Sequence, residues 1–187
     1  AIEKAKKGAE RVKRTVRDLT TFSHGGMDDS VEPVDVHVML DLTIQMAMRT
    51  VLEQGGEVEK HYGDDVPRAL ANESRLSQVF LNLLVNAAQA LDPASDGEQV
   101  VRVETGVDDE GRVLIRIIDT GRGIPEDIRD KIFDPFFTTK PVGEGTGIGL
   151  SVCHEILQAV GGELDLESKV GQGTTFTLLL PSLRQLQ

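Results

Sequence analysis

Along Asn72–Leu91 (NESRLSQVFLNLLVNAAQAL), apolar residues recur at steps of three and four: Leu76, Val79, Phe80, Leu83, Leu84, Ala87 and Leu91. That period puts them on one face of a helix. Asn72 is the predicted N-cap, and Glu73 follows in the first turn, where the helix dipole favours a carboxylate. The opposite face carries a row of amides, Asn82, Asn86 and Gln89, at i, i+4 and i+7. They read either as solvated positions on a surface helix or as the polar floor of a pocket. Amide oxygens can ligate Mg²⁺, and amide nitrogens can donate to phosphate.

The remaining pattern surrounds that helix with others and with strands. Ile2, Ala5, Ala9, Val12, Val16 and Leu19 step by 3, 4, 3, 4, 3, the seam of a coiled coil or bundle over residues 2–22. A single helix cannot bury its own seam, so a partner is expected, either another chain or an upstream helix. The sequence opens inside this pattern without a Met, and a fragment of a longer chain is expected. Gly25-Gly26 ends the helix, and Met27–Pro33 reads as an acidic linker. Asp35 caps a second predicted helix, Val36–Glu53, and Glu57–Tyr62 alternates as a strand. After the amide-bearing helix, Gln99–Val107 and Arg112–Asp119 form a predicted hairpin around Asp108–Gly111. Two glycine-rich tracts lead to a helix over Gly147–Val160, ended by Gly161-Gly162, and the strands Glu163–Ser168 and Thr174–Leu180 close the chain. The expected class is α+β: a two-layer α/β sandwich, its mixed sheet covered on one face by helices, preceded by one long helix. The expected division is helix 1–24, linker 25–35 and folded domain 36–187.

Composition narrows the class. With 187 residues, 39% hydrophobic and 27% charged, the chain can bury one good core. No apolar run approaches the roughly 20 residues of a membrane span, and no signal peptide is visible. The single cysteine, Cys153, falls in an apolar helical pattern and is expected to be buried; it suits a reducing compartment. The net charge of −11 is uneven: residues 1–18 carry +4, so the remainder carries −15. An acidic body argues against nucleic-acid binding. An anion as large as ATP would need Mg²⁺, backbone amides and a few basic side chains.

Four stretches carry candidate chemistry. Asp119-Thr120-Gly121-Arg122-Gly123-Ile124-Pro125 follows an apolar strand directly. A carboxylate there needs a donor, such as an exocyclic amine, and the glycines let backbone approach a flat ligand; an ordinary turn is the alternative. Ile132–Lys140 (IFDPFFTTK) holds three of the six Phe, a loop anchor or a plain apolar patch, with Lys140 in reach of a phosphate. Gly143–Ser151 (GEGTGIGLS) runs alternating glycines into a helix, where free N–H groups make an anion site. No strand precedes it, so it is not a dinucleotide fingerprint, and no P-loop is present. Gly171–Phe176 is a hairpin turn or a place where Thr174 offers its hydroxyl to a ligand.

In this order, the four stretches resemble the catalytic ATP-binding domain of bacterial sensor histidine kinases. They belong to the GHKL superfamily, with type II topoisomerases, the mismatch-repair protein MutL and a heat-shock chaperone. The likeness spans Val36–Pro181: residues 72–91 resemble the N box, 119–125 the first glycine box, 132–137 the F box and 143–151 the second glycine box. It implies Asn86 as the Mg²⁺ ligand, Asn82 one turn earlier near the phosphates, and Gln89 at the same edge. It implies Asp119 as acceptor for the adenine amino group, with Gly121, Gly123 and Ile124 shaping the floor. Thr174 is implied beside Asp119, often through water. Lys140 is implied in a lid, Phe137–Gly145, that is short for this family. Gly145, Thr146, Gly147, Gly149 and Leu150 are implied at the phosphates. Asn82, Asn86 and Lys140 are the implied catalytic set.

Residues 2–22 resemble the second helix of the dimerisation hairpin, with Arg14–Ser23 (RTVRDLTTFS) as its ending. The first helix, bearing the phosphoacceptor histidine, is not in the chain. None of His24, His37, His61 and His154 has the acceptor's surroundings, and each is expected to be structural or solvent-exposed. The implied activity is transfer of the ATP γ-phosphate to that upstream histidine, for relay to a response-regulator aspartate. Implied partners are ATP/ADP with Mg²⁺, a receiver domain and a second copy through the N-terminal helix, with no nucleic acid. A cytoplasmic setting is implied, with room for a membrane anchor upstream. Alternatives are a GHKL-type ATPase, a non-catalytic nucleotide-binding scaffold module and a serine-directed kinase. Hydrolysing relatives place a Glu one turn before the Mg²⁺ asparagine; Asn82 stands there in this chain.

Overall fold

A computed structural model describes residues 30–94, 97–141 and 145–186. The predicted helix over 2–22 lies outside the described residues. The elements run β1 (Glu32–Val34), α1 (Val36–Glu53), β2 (Glu57–Tyr62), β3 (Ala69–Ala71), α2 (Glu73–Ala90), β4 (Val100–Val107), β5 (Val113–Asp119), a 3-10 turn (Glu126–Lys131), α3 (Gly149–Ala159), β6 (Glu163–Lys169) and β7 (Gly173–Leu180). A second 3-10 turn, Leu183–Leu186, ends the described chain.

Five strands form one sheet in the order β2-β4-β5-β7-β6. Only the β2–β4 pair is parallel, and β3 and α2 lie in the crossover between those strands, as a parallel pair requires. The other three pairs are antiparallel. The three helices cover one face, and the mixed, largely antiparallel sandwich read from the sequence is the fold observed. The opposite face carries ion pairs, including Arg102–Glu59 at 2.7 Å and Arg116–Glu104 at 3.5 Å.

α2 is the central helix. Asn72 caps it, its side chain accepting from Arg75 N at 3.0 Å. Leu76, Val79, Phe80, Leu83, Leu84, Ala87 and Ala88 are all buried. Each large side chain so buried contributes about 1.5–3 kcal/mol. Against them, β5 turns Val113, Ile115 and Ile117 inward, and β7 turns Phe176, Leu178 and Leu180 inward. α1 is capped by Asp35, which accepts from His37 N and Val38 N.

Two short elements depart from the sequence expectation. The stretch read as a linker ends in strand β1, which pairs antiparallel with β3, also unforeseen. Three residues are too few to show an alternation, and neither strand has a partner nearby in sequence. α3 begins at Gly149 rather than Gly147, because Gly147 takes φ +67 and cannot continue a helix. His37 is structural: it stacks on Tyr62 at 4.5 Å and shares a 2.8 Å hydrogen bond with Thr105 Oγ1. Tyr62 donates to Asp41 Oδ1, which also pairs with Lys60. The Lys60 hydrogen bond holds the Asp41 carboxyl below its ordinary value. Cys153 is buried as expected, and burial pushes its thiol up to about 12. Among the described residues, no helix is long and apolar enough to cross a membrane.

Candidate functional site

Because its apolar stripe faces the sheet, α2 turns Asn82, Asn86 and Gln89 the other way. All three line a cavity of about 1040 Å³. Also lining it are Asp119, Gly123, Ile124, Lys140, Gly145, Thr146, Gly147, Gly149, Leu150 and Thr174. The polar-floor reading of the amide row is therefore the one the fold realises. Of the expected set, Gly121 stands apart. It packs under Ala90 and holds Asp119 rather than facing the cavity.

One end of the cavity is built on the last residues of β5 and the first of β7. The alternation that buries Val113, Ile115 and Ile117 carries Asp119 inward too, leaving it 3% exposed. Its register partner is Thr174. Asp119 Oδ1 accepts from Gly121 N at 2.9 Å. Burial pushes the carboxyl from 3.8 up to about 6, against the pull of the Gly121 and Thr174 backbone N–H groups and the Arg122 charge. The glycine loop after β5 is clamped by the β6–β7 turn: Gly171 N donates to Arg122 O at 2.8 Å. Gly123, at φ +69, sits where a Cβ would overlap the Lys169 carbonyl, so no larger residue fits the clamp.

The other end is built for charge. Lys140 Nζ donates to Asn86 Oδ1 at 3.3 Å and also to Gln89 Oε1. Asn82 Nδ2 donates to Gly149 O at 3.3 Å, tying α2 to the start of α3. The N-terminus of α3 has no side-chain cap, and Gly149 and Leu150 in its first turn line the cavity. Orphan N–H groups there attract an anion. The aromatic loop props this end. Phe136 N donates to Gly147 O at 2.8 Å, and a Cβ on Gly147 would overlap the Phe136 and Phe137 carbonyls. Ile132 and Phe137 line the wall below.

Some lining residues were not singled out in the sequence: Thr50, Ser74 and Gln78 along the helices, and Val170 at the β6–β7 turn. Ser168 was missed as well. Its signal was legible, a serine in phase with the inward positions Leu164 and Leu166 of β6.

Comparison with known proteins agrees with this geometry. The family model described as histidine kinase-, DNA gyrase B- and HSP90-like ATPase matches residues 71–184. The sensor histidine kinase ZraS of Escherichia coli (strain K12) is 35% identical over 94% of this chain and 36% of its own length. The sensor kinase CckA of Brucella abortus (strain 2308) is 34% identical over 97% of this chain and 20% of its own. The chain thus spans about a third or less of these relatives. Full-length ShkA, solved in complex with AMPPNP, superposes with a TM-score of 0.77 at 29% identity, over 90% of this chain and 35% of that one. The nucleotide-free catalytic domain of histidine kinase ThkA gives a TM-score of 0.70 at 25% identity, over 83% of this chain and 97% of that one.

Proposed function

The chain belongs to the histidine kinase-, DNA gyrase B- and HSP90-like ATPase family, and from that premise we propose that it is the ATP-binding catalytic core of a two-component sensor histidine kinase. It transfers the ATP γ-phosphate to a histidine on an upstream helix, for relay to a response-regulator aspartate. Residues 1–24 act as the second helix of the dimerisation hairpin, 25–35 link it, and 36–187 form the catalytic domain. The receiver domain of the regulator and a second copy of the chain are its protein partners, and it works in the cytoplasm.

The observation that carries this reading is the two-ended cavity. A buried acceptor, Asp119, lies at one end, and amides, an ammonium and a helix N-terminus lie at the other. That polarity suits a nucleotide whose base presents an amine and whose tail is anionic. Asp119 takes the adenine amine, Thr174 supports it, and Gly123 and Ile124 lie against the ring. Gly145, Thr146, Gly147, Gly149 and Leu150 hold the phosphates, with Asn82 of α2 tied to Gly149 beside them.

The donor set fits a divalent cation. Asn86 Oδ1 and Gln89 Oε1 already converge on one cationic group, the Lys140 ammonium. Hard oxygen donors of this kind suit Mg²⁺, and Asn86 is the ligand. Among the described residues no cluster of three His, Cys, Asp or Glu side chains could hold a metal. When bound, Mg²⁺ supplies charge neutralisation on the triphosphate. The protein's own work is positioning: it aligns the γ-phosphate and brings Lys140 to the phosphate charge.

A second reading, an ATP-hydrolysing machine, is disfavoured by the residue at position 82, where hydrolysing relatives place a Glu. The Asn82 carboxamide has no proton affinity to speak of, and its nitrogen already donates to Gly149 O. The test is calorimetric titration of the chain with ATP, with and without Mg²⁺, followed by phosphorylation of a chain extended through the upstream helix. Saturable Mg²⁺-dependent binding and an acid-labile, base-stable phosphate are expected. No binding, or acid-stable label, overturns the proposal.

A further inference from the structure

Ser168 lies outside the cavity wall but directly behind it, at the inner end of β6. Its hydroxyl has three polar neighbours: Ile124 N at 2.8 Å, Gly173 O at 3.0 Å and Thr174 Oγ1 at 3.0 Å. A serine has one proton to give. Ile124 N–H can only donate, so it takes a lone pair of Ser168. The Gly173 carbonyl can only accept, so it takes the serine's proton. The third contact is then a hydrogen bond only if Thr174 donates to Ser168. The one proton of Thr174 is thereby committed to Ser168, and Thr174 has only lone pairs left for the cavity it lines.

We infer that Ser168 is a specificity-determining positioning residue. By fixing the Thr174 hydroxyl as an acceptor beside Asp119, it makes the base-reading end of the cavity select a 6-amino purine over a 6-oxo purine. Asp119 and Thr174 are register partners across β5 and β7, so their side chains stand side by side. An exocyclic amine donates to such an all-acceptor edge. A carbonyl oxygen placed there meets lone pairs and leaves buried acceptors unpaired, the arrangement by which sites reject near-isosteric ligands. Without Ser168, the Thr174 hydroxyl can rotate and donate to the carbonyl of a guanine. The same serine holds the glycine loop through Ile124 N, and its own carbonyl accepts from Arg129 Nη2, which braces the hub. The inference rests on the adenine-binding reading above.

The experiment is calorimetric titration of the chain with ATP and with GTP, each with Mg²⁺, in wild type, Ser168→Ala, Ser168→Thr, Thr174→Val and the Ser168→Ala/Thr174→Val pair. The ATP-to-GTP affinity ratio should fall about tenfold in Ser168→Ala, the scale of one mismatched hydrogen bond. Ser168→Thr keeps the hydroxyl and should keep the ratio. In the Thr174→Val background, Ser168→Ala should move the ratio no further, because it acts through Thr174. Loop support alone would lower both affinities together. An unmoved ratio in Ser168→Ala, or a further fall in the Thr174→Val background, overturns the role of Ser168. A wild type that binds ATP and GTP alike overturns instead the adenine reading on which it rests.

Discussion

Replacing Asp119 by Asn should make the nucleotide-free protein more stable while weakening its grip on ATP. Burial raises the Asp119 carboxyl from 3.8 to about 6. At about 1.4 kcal/mol per pH unit, holding it ionised in the folded state costs about 3 kcal/mol at neutral pH. Asn keeps an oxygen for Gly121 N but offers one acceptor fewer to the backbone, so about 2 kcal/mol should remain as gain. For a domain of this size that is a rise in Tm of about 6 °C. The sign follows from proton uptake. Between the two pKa values the native state binds more protons than the unfolded state, so wild-type stability falls as pH rises from 3.8 towards and through about 6. The variant should therefore be slightly less stable than wild type at pH 3.5, by about 1 kcal/mol, gain across that interval and reach its full advantage at pH 7.5. Thermal melts of both proteins without nucleotide, at several pH values, read this directly. A variant no more stable at pH 7.5, or equally advantaged at all pH values, would refute the account of Asp119 as a strained, buried carboxylate. In titrations the same variant should lose about tenfold or more in ATP affinity, a charged hydrogen bond being worth about 1.5–3 kcal/mol. It should also discriminate less against GTP.

Two further outcomes test the opposite end of the cavity. Asn86→Ala should abolish most of the Mg²⁺ dependence of ATP binding in calorimetry; an unchanged dependence would remove Asn86 as the metal ligand. Gly147→Ala adds a Cβ at φ +67 against the Phe136 and Phe137 carbonyls. It should cost about 1–3 kcal/mol of local strain, read as weaker ATP binding and earlier proteolysis of the 136–147 segment, with the melting of the sheet core little changed.

What could be read from the chain alone was whatever depends on neighbours a few positions apart. The stripe on α2 follows from its period, and so does the outward row of Asn82, Asn86 and Gln89. The apolar strand before Asp119 marked it as a carboxylate in need of a donor, and the turn before the last strand marked Thr174 as a hydroxyl on offer to a ligand. Glycine placement marked both loops, because a backbone at positive φ, or pressed against a carbonyl, accepts little else. Four such signals in order were enough to suggest the family.

Tertiary structure decided what needs partners far apart in sequence. β1 and β3 exist only because residues 32–34 meet 69–71 across the start of α2. The rise of the Asp119 carboxyl depends on how completely α2 and the sheet close over it, and composition says nothing of that. Lys140 lies 54 residues from Asn86 and 51 from Gln89, yet it meets both amides. Ser168 looked like one more polar residue in an alternating strand. Its part in the site arises from Ile124, 44 residues away, and from Thr174 across a turn. Hydrogen-bond donors and acceptors are assigned by the neighbours that packing brings in, so the residue types were legible along the chain but their protonic roles were not.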